Sequence, residues 1–301
     1  MSTRRVSDKV ISLNERRPLT PLRREEARGQ ERKVTKVVAV TSGKGGVGKT
    51  NIVANIGFEL SRAGQRVMIL DADLGLGNLD ILLGLTPKYN LSHVIMGDKR
   101  IDEVVLEGPG GLRILPAASG IQELTQLSRD QKIGIFTELE RMLHSVDFLL
   151  IDSGAGISPN VLDFSVTAQQ ILVVVTPEPT SITDAYALMK VLSMKYAEKA
   201  CRLIVNQVTS EQEGREIYRQ LNLVAEKFLA IKLDYFGCIL KDETITTCVK
   251  QQRIVNQSHP DSMAARCLRN LARKTGALPR QKALAGERNL IWSHIFQQGA
   301  Y

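Results

Sequence analysis

Residues 36–64, KVVAVTSGKGGVGKTNIVANIGFELSRAG, leave few folds open. KVVAVTS reads as a strand buried on both faces, a glycine-rich turn follows at once, and TNIVANIGFELSRAG spaces its apolar residues as a helix does until Gly64. A strand that passes through glycines straight into a helix is the opening unit of a parallel α/β sheet. Within the turn, Gly43, Gly48, Lys49 and Thr50 satisfy the spacing G-x-x-x-x-G-K-[ST]. Glycines let backbone N–H groups turn inward around phosphate oxygens, and the helix adds its positive N-terminal end. Lys49 then reaches the terminal phosphates, and the Thr50 hydroxyl is placed for a magnesium ion. The nucleotide-binding stretch is expected at Gly43, Lys44, Gly45, Gly46, Val47, Gly48, Lys49, Thr50 and Asn51, and within it Lys44 has no evident task.

The apolar runs RVMILDAD, LRILP, DFLLIDS, QILVVVTP, CRLIVNQV and DYFGCIL follow, with helical stretches at 128–146, 181–197 and 211–229. Leucine-rich and β-branched strands separated by helices predict a mostly parallel, doubly wound sheet covered by helices on both faces, a P-loop nucleotidase architecture. Ligands of such sheets sit at the carboxyl ends of the strands. Two of those ends carry acids. Asp152 closes DFLLIDS and suits a magnesium-holding carboxylate, and Gly154 and Gly156 behind it suit a switch whose backbone senses a γ-phosphate. Asp71 and Asp73 close RVMILDAD and point the same way; Asp73 is expected to orient the attacking water and Asp71 to join the magnesium shell. The alternative for Asp71 is a cap on a short helix starting near Asn78. In PTSITDAYALMKVL, Ser181 with Asp184 predicts a capping box, Ala185, Leu188, Met189 and Leu192 a core stripe, and Tyr186 and Lys190 an outer face open to a partner.

Charge is uneven along the 301 residues. Residues 1–34 carry +5 and residues 263–301 carry +6, which leaves −3 for residues 35–262 out of a total of +8. An acidic body with basic ends argues against one broad nucleic-acid face and for adhesive tails. Expected segments are a basic arm at 1–34, a nucleotidase domain at 35–276, and a basic linker with a short amphipathic helix at 277–301. In that helix Ile291, Trp292, Ile295 and Phe296 share one face, which fits an anionic membrane surface or a return onto the protein body. Cys201, Cys238, Cys248 and Cys267 stand far apart without a C-x-x-C, so a reducing cytoplasm is expected. The polar, basic start MSTRRVSDKV is not expected to act as a secretory signal.

KGGVGKT, DADLGLGNLDILLGLTP and IDSGAGI together resemble the MinD/ParA class of deviant Walker-type ATPases over about residues 36–274. GPGGLRILPAASG, PTSITDAYALMKVL and QEGR are similar to the flagellar-number regulators of that class, the FleN/FlhG type. The resemblance implies ATP and Mg2+ as ligands, a homodimer formed with ATP, and slow hydrolysis. It implies that Lys44 crosses the dimer interface to the partner's nucleotide and that Asn206 reads adenine. It also implies control of the number and place of polar flagella at the inner face of the cell membrane. The partners implied are a flagellar master transcription activator of the enhancer-binding type and a flagellar signal-recognition-type (SRP-type) GTPase. Division-site regulators of the MinD type and DNA-partition ATPases are the alternatives, with direct DNA binding the less favoured. Leu240 stands where the class usually has proline, which bears on base contacts near Lys241 and Asp242.

Overall fold

The computed structural model describes residues 34–117, 127–198, 200–229 and 231–279. The basic arm and the tail residues Ile291, Trp292, Ile295 and Phe296 lie outside the described residues. The strands are β1 (Lys36–Ser42), β2 (Val67–Ala72), β3 (Leu106–Glu107), β4 (Arg113–Leu115), β5 (Phe148–Ala155), β6 (Gln170–Val175), β7 (Ala200–Val208) and β8 (Lys232–Leu240). They form one sheet in the order β3-β4-β2-β5-β1-β6-β7-β8. Only the β3–β4 pairing is antiparallel among the described strands; the others run parallel, as expected of strands joined by helical crossovers.

The helices are α1 (Lys49–Arg62), α2 (Leu79–Leu82), α3 (Leu91–Ile95), α4 (Ile101–Val104), α5 (Arg129–Leu143), α6 (Pro159–Val166), α7 (Pro179–Tyr196), α8 (Glu211–Leu229), α9 (Glu243–Lys250), α10 (Val255–Ser258) and α11 (Met263–Ala277). Strand alternation assigns them to two layers. Val38 and Val40 of β1 face a core shared with α1, α2 and α9–α11, whereas Val37 and Ala39 face the core filled by α3–α5. A third cluster, under α7 and α8, covers the same side at β6 and β7. Both faces of the central strands are therefore buried, which is why those strands read as unbroken apolar runs.

The helix after β6 begins earlier than its sequence predicts. Pro179 occupies its first turn, with Glu178 at the N-cap, while the Ser181 hydroxyl accepts from the buried Thr176 N–H at 3.0 Å. The missing N–H of proline suits a first turn, so Pro179 displaces the expected capping box. Ala185, Leu188, Met189 and Leu192 are buried as the stripe requires.

Candidate active site

The strand order places β1 between β5 and β6, so the glycine loop emerges at the middle of the sheet's carboxyl edge. Two of its glycines are dictated by close approach. A Cβ on Gly43 would lie 2.2 Å from the backbone of Asp184 in α7, and one on Gly48, where φ is +96°, would lie 2.5 Å from Asn206 Nδ2. Among the described residues Gly45 has nothing within 4 Å of that position, so they leave its side of the loop open to an incoming group.

The two lysines of the loop are held differently. Lys49 is only 8% exposed, and its Nζ donates to Ser42 Oγ at 3.0 Å, while that hydroxyl donates to the Lys44 carbonyl at 2.7 Å. Burial lowers the Lys49 pKa, and the charges of Asp152 and Asp73 work against that shift. Lys44 instead reaches across to α7, where its Nζ pairs with the Glu178 carboxylate and donates to Thr180 Oγ1 at 3.0 Å. Ser42, Glu178 and Thr180 are neighbours of the candidate site that sequence reading missed. Glu178 offered one signal, an acid between a strand end and a proline.

Parallel pairing sets Asp71 and Asp152 side by side at the ends of β2 and β5. Burial pushes the Asp152 carboxyl up to about 7, against a hydrogen bond from Thr50 and the charge of Lys49. Its Oδ1 is buried with no hydrogen-bond partner among the described residues. A buried carboxylate oxygen beside a hydroxyl is a hard-oxygen donor pair, which fits Mg2+. Thr50 and Asp152 are the residues that would hold it.

The Asp71 carboxylate, expected in the magnesium shell, is engaged by backbone donors. Its Oδ1 accepts from the Asp73 N–H at 3.1 Å and its Oδ2 from the Leu79 N–H at 3.2 Å, so it braces the loop after β2 and caps α2. Burial, and after it the Asp152 charge, pushes its carboxyl pKa well up. That brace leaves Asp73, half-buried, against Gly154, where a Cβ would stand 3.4 Å from Asp73 Oδ1. Gly154 lies at the end of β5, and the Gly156 N–H donates to the Ser42 carbonyl at 2.9 Å, tying the segment after β5 to the glycine loop.

Asn206, expected to read adenine, is tied to the loop: its Nδ2 donates to the Val47 carbonyl at 2.8 Å and its Oδ1 accepts from the Gln207 N–H at 2.9 Å, so it fastens the loop to β7. It borders a cavity of about 250 Å3 with Asn51, Gln207, Leu240 and Lys241. Leu240 keeps β8 paired to β7 at Val208, and the Lys241 N–H donates to the Val208 carbonyl at 2.8 Å. Asp242 caps α9, accepting from the Thr244 and Ala264 N–H groups at 2.9 and 3.0 Å.

Comparison with known proteins agrees with this geometry. Residues 38–255 match the CobQ/CobB/MinD/ParA nucleotide binding domain. The chain is 45% identical over 243 residues to the Antiactivator FleN of Pseudomonas aeruginosa, covering 81% of this chain and 87% of that one. It is 35% identical to the flagellum site-determining protein YlxH of Helicobacter pylori, over 79% and 81% of the two chains. Among solved structures, MinD in the MinC:MinD cell division complex of Aquifex aeolicus superposes with a TM-score of 0.67 at 26% identity, covering 84% of this chain and all of that one. MinD of Pyrococcus horikoshii, complexed with Mg-ADP, superposes equally well, at 0.67 over 80% and 95% of the two chains, and at 23% identity shows the fold alone. With a glycine loop, a buried lysine and two strand-end acids at the carboxyl edge of a parallel sheet, the chain belongs to the CobQ/CobB/MinD/ParA nucleotide-binding family, and within it to the FleN/FlhG type.

Proposed function

We propose that this protein is an ATP-hydrolysing, dimerising switch that sets the number and placement of flagella. The observation that carries this reading is the 45% identity to an antiactivator named FleN along most of both chains. Lys49 neutralises charge on the β and γ oxygens, the loop N–H groups orient them, and Asp73 orients the attacking water. Mg2+, when held by Thr50 and Asp152, supplies further positive charge against those oxygens. Lys44 leaves Glu178 and serves the nucleotide of a second copy. Leu76 and Ile157, 74% and 52% exposed on the loops after β2 and β5, support a face that a second copy covers.

In this reading the ATP-bound dimer restrains a flagellar transcription activator of the enhancer-binding type and works with the flagellar SRP-type GTPase. The tail helix attaches it to the inner face of the cell membrane near the pole. Two weak tails on one dimer bind together, so attachment follows ATP. The test is a deletion strain complemented with wild type or Lys49→Ala. Excess or misplaced flagella, corrected only by wild type, are expected; normal flagella in the deletion strain would sink the reading.

A further inference from the structure

α11 has two chemically distinct faces. Ala264, Ala265, Leu268, Leu271, Ala272 and Thr275 are buried against the sheet, while Arg266, Arg269, Asn270 and Arg273 stand exposed opposite them. The helix carries four Lys/Arg and no Asp/Glu. Beside this ridge, at the free edge of β8, a notch of about 240 Å3 is lined in part by Arg215, Arg266, Asn270 and Lys274. Ridge and notch share Arg266 and Asn270, so they form one continuous cationic surface.

Among the described residues, few acids neutralise that surface, and Glu211 lines the notch. Arg269 lies 3.6 Å from Glu59, and Arg215 lies 3.9 Å from Glu211. Arg266 and Arg273 make no ion pair among the described residues. Nor is the β8 edge prepared for an added strand. Tyr218 donates to the Leu233 carbonyl at 3.0 Å and Lys274 Nζ to the Phe236 carbonyl at 2.5 Å, which occupies backbone acceptors that a new strand needs.

A convex row of guanidiniums on a rigid helix suits a broad sheet of phosphate esters, because each fork meets phosphate oxygens without a shaped pocket. Sequence continuity identifies which sheet. Residues 280–301 follow directly from this helix, bringing Arg280 and Lys282 and then the apolar set Ile291, Trp292, Ile295 and Phe296. We propose that the outer face of α11, with the notch at β8, is an electrostatic docking surface for an anionic phospholipid bilayer. The proposal rests on the reading of the tail as a membrane helix and adds a second contact that orients the folded body. The tail supplies apolar insertion, while α11 supplies charge.

The test uses the full-length protein with ATP and vesicles containing phosphatidylglycerol, comparing wild type, R266Q/R273Q and a truncation after Leu284. Both arginines are exposed and glutamine is a good helix former, so solution ATPase activity is expected to stay unchanged. At roughly fivefold per cation near an anionic surface, R266Q/R273Q should lower vesicle partitioning about thirtyfold at low salt. High salt should erase that difference. Equal partitioning of R266Q/R273Q and wild type, with binding lost on truncation, overturns the docking surface and leaves the tail reading intact. Binding indifferent to truncation but lost in R266Q/R273Q upholds the surface and removes the tail. Wild type that ignores vesicles overturns both. A defect of R266Q/R273Q confined to duplex DNA binding assigns the face to nucleic acid and overturns the proposal.

Discussion

At the end of the cleft proposed for the phosphates, most of the candidate groups come from Gly43 to Thr50, joined by Asp73 and Asp152 from two adjacent loops and strand ends. At the end proposed for the base, Asn51, Asn206, Gln207, Leu240 and Lys241 come from separate elements that only the finished sheet brings together. The phosphate end is therefore a local device, set by glycine conformations and one helix start. The base end is a long-range one, dependent on the β7–β8 pairing. Charge is concentrated at the first and shape at the second, so affinity should depend mainly on the phosphate end.

Lys49→Ala tests that division with the largest expected effect. Removing this buried cation beside Asp152 and Asp73 should weaken ATP binding at least about a hundredfold, since hydrogen bonds to charged groups are the strongest available. Calorimetry reads it directly. Affinity within a few-fold of wild type would move the phosphate site elsewhere.

Asp73→Ala separates chemistry from binding at the same end. The nucleotide cradle remains, so ATP should bind and dimers should form, while turnover falls about 10²–10⁴-fold as expected for a lost water-orienting base. Mixed with Lys44→Ala, also expected to be nearly inactive, it reports where Lys44 acts. In a mixed dimer the site on the Lys44→Ala subunit keeps its own Asp73 and receives Lys44 from its partner. At protein concentrations well above dissociation, at most roughly a quarter of wild-type activity should return. No recovery, with mixed dimers shown to form, assigns Lys44 to its own subunit.

At the base end, Asn206→Ala should act chiefly on the fold. It strands the Val47 carbonyl beneath the loop, a loss of about 1–3 kcal/mol in denaturant unfolding, and weakens ATP only through a looser loop. A loss of ATP affinity as large as that of Lys49→Ala, with unfolding unchanged, would instead make Asn206 a direct base reader and end the contrast between the two ends.

This contrast also explains what the sequence made legible. The glycine loop, its flanking strand and helix, and the doubly wound sheet follow from contiguous pattern, because spacing and strand–helix order are local. Asp152 was legible for the same reason, as one acid closing an apolar run. Asp71 was legible only as two readings, a magnesium ligand or a cap on a helix near Asn78, and the Leu79 N–H that the loop after β2 folds back to meet it supplies the capping contact. Asn206 was singled out only through the family resemblance, and its two hydrogen bonds depend on how β7 packs against the loop. Ser181 looked like a cap because the sequence gives spacing, whereas the Thr176 N–H competes for its hydroxyl through the bend that leads into α7.

The smallest expected effect concerns how Lys44 is held before it can act elsewhere. In the single chain its ammonium is tied to Glu178 and Thr180, so joining a second copy's site requires leaving that pair. The pair is exposed, 35% for the Lys44 side chain and 59% for Glu178, and solvent screening limits such contacts to about 0–1 kcal/mol. Glu178→Gln keeps the shape and removes the charge. If the tether restrains Lys44, the variant should dimerise with ATP at a concentration no more than about fivefold lower per released subunit, with nucleotide affinity of the monomer unchanged. Raising the salt should shrink the difference, because it screens the pair in wild type as well. Analytical ultracentrifugation across a dilution series with ATP measures the midpoint. A shift to higher concentration gives the opposite answer: Glu178 then holds Lys44 in the dimer, and the contact seen in the single chain is one half of the interface.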